Sequence, residues 1–329
     1  MTATIARREF IAGLGGAAAW PLAARAQQRA LPVVGYVRGG AQVASALLDA
    51  AFRQGLASMG FEERRNVTID YRYVEGQYGG QVADIDDLVR RQVAVIYAAD
   101  TAAAVTAKTK TATIPIVFRT GGDPIQLGLV TSFNRPGGNI TGVSFLVTAT
   151  QAIRLQMLRE AVPGATVMGL LVNASNPNVE AITKEAQDAA RKLGLELQVV
   201  SATNAQEIDA AFATLVQRRV QALVIGGDAF FSTRSQQLAV LALRHAMPSI
   251  YTGRSLPDAG GLMSYGANNV DADRLGGVYV GRILKGEKPA DLPVQQSVKV
   301  ELIINLIVAK ALGLSLPLTL LGRADEIIE

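Results

Sequence analysis

LPVVGYVRGGAQVASALLDAAFRQGLASMG, residues 31–60, decides the fold. Residues 31–37 are almost wholly apolar, as expected of a strand buried on both faces of a sheet. Arg38-Gly39-Gly40 interrupts the run. Ala44, Leu47, Leu48, Ala51, Phe52, Gly55, Leu56 and Met59 then recur at the i, i+3, i+4, i+7 spacing of one helix face. Gly60 follows as a C-cap. Strand, short loop and helix make one unit of a β-α series.

The unit repeats outward from there. Strands are predicted over 67–73, 93–99 and 114–118, with helices over 78–92 and 101–111 between them. The turn Arg135-Pro136-Gly137-Gly138-Asn139 and a strand over 140–145 close the first series. A second series has strands over 167–172, 195–200, 222–225 and 249–251, with helices over 179–193, 205–218 and 233–245. Repeated β-α units imply parallel sheets covered by helices on both faces. The expected fold is therefore α/β, with two doubly wound parallel-sheet lobes and a hinge. A tail with a strand over 262–264 and a helix over 271–284 exceeds two complete lobes, so the chain is expected to cross back between them. The expected division is a signal at 1–26, a first lobe of 31–145 plus about 263–290, and a second lobe of 146–262 plus about 291–329.

Composition narrows the function. The chain has 329 residues, 49% hydrophobic and 18% charged, which suits about two globular domains and not a disordered chain. Two of the four net positive charges fall in the first 26 residues, where Arg7, Arg8 and Arg25 face only Glu9. The body then carries no Lys/Arg run, and no nucleic-acid partner is expected. The absence of cysteine removes disulfides, thiolate metal sites and Cys nucleophiles. His245 is the single histidine, so a triad or His-rich metal site has only it to build on. No cofactor or metal is expected.

The first 26 residues read as an export signal. Arg7-Arg8-Glu9-Phe10-Ile11 resembles the twin-arginine motif, with Ala6 and Ala12 at positions where Ser/Thr and Lys are usual. An apolar, Gly/Ala-rich stretch too short to span a bilayer leads to Ala24-Arg25-Ala26, a small-x-small cleavage pattern. Cleavage near Ala26 and a periplasmic location are expected; an amphipathic helix of a cytosolic protein is the other reading. Gly13-Leu14-Gly15-Gly16 follows no strand and is not a dinucleotide loop. With no G-x-x-x-x-G-K-[ST] loop and no second long apolar segment, the chain is neither a transporter ATPase nor a permease.

Ligands of doubly wound sheets sit outside the carboxyl ends of the strands. There the sequence places Arg38 and Gly39, Asp100 and Thr101, Arg119 and Thr120, Asn173, and Asp228. Glycines let backbone N–H groups approach a ligand, and helix N-termini favour anionic groups. Asp100 and Asp228 offer acceptors to an ammonium, whereas Tyr78, Phe230, Tyr251 and Tyr265 offer apolar walls. Asp100, Thr101, Asn173 and Asp228 stand equally well as helix caps, and Phe230 equally well as core.

Several stretches carry a family resemblance: IPIVFRTGGDPIQLGLVTSFNRPGGNITGVS (114–144), RRVQALVIGGDAFF (218–231), GGLMSYG (260–266), YVGRILKGEKPADLPVQQSVKVELIINLIVAKALGLSLP (279–317) and RADEIIE (323–329). The chain resembles the ABC-transporter substrate-binding proteins of the tryptophan/tyrosine type. The resemblance implies a periplasmic-binding-protein fold like type I, a small-molecule ligand, delivery to an ABC permease in the inner membrane and no enzymatic activity; a monomer is expected. Arg119 stands where small or apolar residues are usual in that family. Together with Arg38 it hints at a carboxylated, aromatic ligand in place of a zwitterionic amino acid, unless either side chain faces solvent. An exported sensor module of the same fold is the alternative. An enzyme is disfavoured by the lone His245 and the lack of a G-x-S-x-G elbow.

Overall fold

The computed structural model describes residues 30–74, 80–145, 150–296 and 299–329. The expected signal at 1–26 and Tyr78 lie outside them. In chain order the first sheet receives β1 (Val33–Gly39), β2 (Thr68–Val74), β3 (Val95–Ala98), β4 (Ile116–Thr120) and β5 (Ile140–Ser144). Helices α1 (Gln42–Ser58), α2 (Gln81–Arg90) and α3 (Thr101–Lys110) alternate with them. The second series runs α4 (Gln151–Ala161), β6 (Val167–Val172), α5 (Val179–Leu193), β7 (Glu196–Ser201), α6 (Ala205–Gln217), β8 (Ala222–Ile225), α7 (Ala229–Thr233), α8 (Ser235–Arg244), β9 (Ser249–Tyr251), α9 (Ser255–Asp258) and β10 (Met263–Ala267). The tail contributes α10 (Asn269–Leu284), β11 (Gln295–Gln296), β12 (Val300–Asn305), α11 (Leu306–Ala311), α12 (Leu318–Leu321) and β13 (Glu326–Ile328).

The first sheet is ordered β11-β5-β4-β3-β1-β2 and the second β13-β12-β10-β9-β8-β6-β7. Within both lies the same doubly wound core, 2-1-3-4-5 in local strand number, with every core pair parallel. The tail extends both sheets, and β12 runs antiparallel to β10. Residues 263–267, expected in the first lobe, pair with β9 and β12 and so belong to the second sheet. Physically, β10 is the fifth strand that the second core needs. The helix that follows, α10, returns to the first lobe and packs along α1. The chain therefore passes between the sheets after β5, after β10 and after β11. Three such passages are the construction of a hinge.

Each sheet is covered on both faces by apolar side chains. In the first lobe, one layer gathers Val37, Ile85, Ile96, Ala103 and Phe118, and the other Val34, Tyr36, Phe52, Tyr97 and Val280. Phe52 is fully buried and stacks on Tyr97 at 4.6 Å between ring centroids. Burying one such side chain is worth about 1.5–3 kcal/mol. Leu47, expected on the inward face of α1, is exposed, so the buried stripe of that helix runs through Ala51, Phe52 and Leu56. In the second lobe, α5 ends at Gly194 in the left-handed conformation. Asn204 caps α6 by accepting from the Glu207 N–H at 3.0 Å, and Glu207 accepts in return from the Thr203 N–H at 2.7 Å.

Candidate functional site

Strand order reverses between β1 and β3 in one lobe and between β6 and β8 in the other. A crevice of about 980 Å³, its solvent-open part included, lies between the lobes at these two switch points. Of the residues expected from the sequence, Arg38, Gly39, Asp100, Thr101, Arg119, Asp228 and Tyr251 line it. Thr120 is fully buried behind the wall, its hydroxyl 2.9 Å from that of Thr101. Asn173 also stands behind the wall, donating to Asp228 Oδ1 at 3.1 Å. Two expected residues lie elsewhere. Phe230 packs with Phe231 in the core of the second lobe, at 5.4 Å between centroids. Tyr265 packs against the opposite core layer of that lobe, because the pleat of β10 turns its side chain away from the crevice.

Backbone N–H groups fix the acids. Asp100 caps α3 by accepting from the Ala103 N–H at 2.9 Å, and its other oxygen accepts from the Gly39 N–H at 2.7 Å. The carboxylate thus ties the end of β1 to the end of β3. Asp228 caps α7 by accepting from the Phe230 N–H at 2.8 Å and takes the Asn176 amide on its other oxygen at 2.6 Å. Tyr251 donates to the Asp228 carbonyl at 2.6 Å. Burial pushes the Tyr251 hydroxyl up to about 12, so it stays neutral and able to donate.

The arginines turn inward. Arg38 is 4% exposed and Arg119 is 7% exposed, so neither faces solvent. Arg38 Nε donates to Tyr36 Oη at 2.8 Å and its Nη2 to Asp273. Burial opposes the Arg38 charge, but Asp273, Tyr36 and Tyr97 together hold its pKa above the ordinary arginine value. Arg119 donates to the Ala99 carbonyl at 3.0 Å and to Asn269 Oδ1, and its guanidinium lies 4.7 Å from the Phe145 ring centroid. Asn269 and Asp273 come from α10, far along the chain from the strand ends, and no local pattern marks them. Phe145, Asn176 and Asn178 also line the crevice; Phe145 follows the end of β5 by one residue, and Asn176 and Asn178 follow the end of β6 by four and six.

The lobes touch across the mouth. Asn178 Nδ2 donates to Thr101 Oγ1 at 3.3 Å. A Cβ on Gly122 would stand 2.1 Å from Asn178 Oδ1, so a larger residue there must push the Asn178 side chain aside. The crevice thus combines hydroxyls and amides from both lobes with an apolar side formed by Leu48, Phe145, Ile182 and Tyr251. Such a surface orients a small ligand by hydrogen bonds and packs its apolar part. Among the described residues no His/Cys/Asp/Glu cluster suits a metal, and His245 is the C-cap residue of α8, 6.2 Å from the Phe212 ring.

Comparison with known proteins fits this arrangement. A tyrosine-binding protein of Clostridioides difficile (strain R20291) is 26% identical over 266 residues, covering 80% of this chain and 75% of the relative. A conserved domain protein of Vibrio cholerae O1 biovar El Tor superposes with a TM-score of 0.84 at 24% identity, covering 91% of this chain and all of the other. An ABC domain of Streptococcus pneumoniae in complex with L-Trp superposes with a TM-score of 0.81 at 24% identity and the same coverage. These structures share the two-lobed fold. Residues 44–328 match the family described as ABC transporter substrate binding protein, and the chain belongs to that family.

Proposed function

We propose that this protein is the extracytoplasmic solute-binding component of an ABC importer. It closes two lobes on an amino acid or another small aromatic metabolite and presents the closed form to a permease. The observation that carries this reading is the crevice walled by strand ends of both sheets, with Thr101, Arg119 and Phe145 facing Asn176, Asp228 and Tyr251. A ligand touching both walls binds the closed form better than the open one and shifts the population toward it. The tyrosine-binding relative and the L-Trp complex support a ligand with an aromatic ring. The Arg7-Arg8 motif and Ala24-Arg25-Ala26 support export. No helix of the described residues is long and apolar enough to cross a membrane.

Thermal unfolding with L-tryptophan, L-tyrosine, L-phenylalanine and their deaminated acids tests the reading. A ligand present at 100 times its dissociation constant adds about 2.7 kcal/mol of stability and is recovered unchanged. Stabilisation by none of them, or chemical conversion of one, contradicts the proposal. Asn178→Ala removes the hydrogen bond to Thr101 across the mouth. It is expected to weaken closure by about 1 kcal/mol, read as lower affinity in calorimetry and a larger radius of gyration in the liganded state. Unchanged affinity removes Asn178 from the closing contact.

A further inference from the structure

Asp273 is fully buried, and its carboxylate stands between the two crevice arginines. Oδ1 accepts from Arg38 Nη2 and, at 2.7 Å, from Tyr97 Oη. Oδ2 lies 3.4 Å from Arg119 Nε and has no hydrogen-bond donor of its own. Asp49 lies 3.9 Å from Arg38 Nε and takes the hydroxyls of Tyr36 and Tyr73 at 2.7 and 2.5 Å. Two guanidinium groups and two carboxylates therefore cancel behind the first-lobe wall.

The rest of the wall leans negative. Arg38 and Arg119 are the only cations among the described lining residues, whereas Asp100 and Asp228 add two further carboxylates. An incoming monoanion meets cations that Asp273 and Asp49 already neutralise, and it pays the repulsion of two acids in a crevice where water screens poorly. A zwitterion or a neutral molecule avoids this. The sequence-based hint of a carboxylate ligand rested on Arg38 and Arg119 alone, without the acid that α10 inserts between them.

We propose that Asp273 sets the charge of the ligand: by neutralising Arg38 and Arg119 it makes the crevice take ligands without net negative charge and refuse carboxylate monoanions of the same shape. This deepens the solute-binding reading above and rests on it. It acts through the arginines, so Asp273 is a specificity-positioning residue that need not touch the ligand.

Calorimetry with three probes sharing one ring tests the proposal: L-tyrosine, which is net neutral, tyramine, which is cationic, and 3-(4-hydroxyphenyl)propionate, which is anionic. The wild-type protein is expected to bind the propionate about tenfold or more weaker than tyrosine, and Asp273→Asn to close that gap by about tenfold or more. Equal wild-type affinities, or a ratio unmoved by Asp273→Asn, overturn it. A second arm needs no cognate ligand. Sodium formate is expected to raise the melting temperature of Asp273→Ala by filling the carboxylate-sized space that truncation leaves beside Arg38 and Arg119, and to leave the wild type unchanged; the same response in both proteins overturns the proposal. If the wild type binds none of the three probes, the aromatic-ligand reading fails, and the formate arm still decides the role of Asp273. Should Asp273→Asn not fold, Arg119→Gln takes its place, because it leaves Asp273 paired with Arg38 and Tyr97. It is expected to shift the tyramine-to-tyrosine preference about tenfold toward tyramine, and an unmoved preference overturns the proposal.

Discussion

Gly55→Ala is expected to destabilise the protein by about 3 kcal/mol and to weaken ligand binding, although residue 55 does not line the crevice. The reason is the seam between α1 and α10. A Cβ at residue 55 would stand 1.9 Å from the Arg274 carbonyl oxygen, and one at Gly277 would stand 2.1 Å from the Phe52 carbonyl oxygen. Both obstacles are backbone, so no side-chain rotation relieves them. The helices must move apart, and the packing of Phe52 and Leu56 goes with them. Because α10 also carries Asn269 and Asp273, the displacement reaches the hydrogen bonds to Arg38 and Arg119. The midpoint of urea unfolding and the affinity for any stabilising ligand are the two measurements. Gly164→Ala is the control: no atom lies within 4 Å of its Cβ position, and the change is expected to be near neutral. A wild-type midpoint for Gly55→Ala would show that the seam yields without cost.

That seam also marks how far the sequence could be read. The alternation of apolar strands with amphipathic helices was enough to place two doubly wound lobes, because burial on both faces imposes apolar runs on every core strand. The glycine at residue 55 fell on the inward face of its helix in the same pattern. Periodicity carries no information about which sheet a strand joins, so β10 was assigned to the wrong lobe; its partners are set by the local 2-1-3-4-5 order and by the antiparallel β12. Helix α4 has no such apolar stripe in the sequence. Gln151 and Arg154 are fully buried on it, and Arg154 donates to the Tyr265 carbonyl at 3.2 Å, so polar residues occupy positions where a helix stripe is normally apolar. The strand-end residues of the crevice were legible because the switch point is a property of topology. Asp273 and Asn269 were not, because a contact spanning 235 residues, as between Arg38 and Asp273, leaves no trace in local spacing.

Asp228→Ala is expected to lower affinity about tenfold or more and to cost about 2 kcal/mol of stability as well. The sequence offers Asp228 equally as a ligand acceptor and as a helix cap. The structure makes it a junction. At 8% exposure its carboxylate holds the Phe230 N–H and the amides of Asn173 and Asn176, and three donors lose their acceptor when it is truncated. The consequence travels toward the other lobe. Asn176 Oδ1 accepts from the Asn178 N–H at 2.8 Å, and Asn178 reaches Thr101. Removing Asp228 therefore loosens the loop that closes the mouth, in addition to deleting a charge on the wall. Asp228→Asn removes the charge but keeps the size and the oxygen that accepts from the Phe230 N–H and Asn173, so only the Asn176 amide loses its acceptor. A folded Asp228→Asn with stability near wild type but weakened binding assigns the charge to the ligand, whereas recovery of both assigns Asp228 to loop architecture alone. Wild-type affinity in a folded Asp228→Ala would place the ligand elsewhere than against the second-lobe wall.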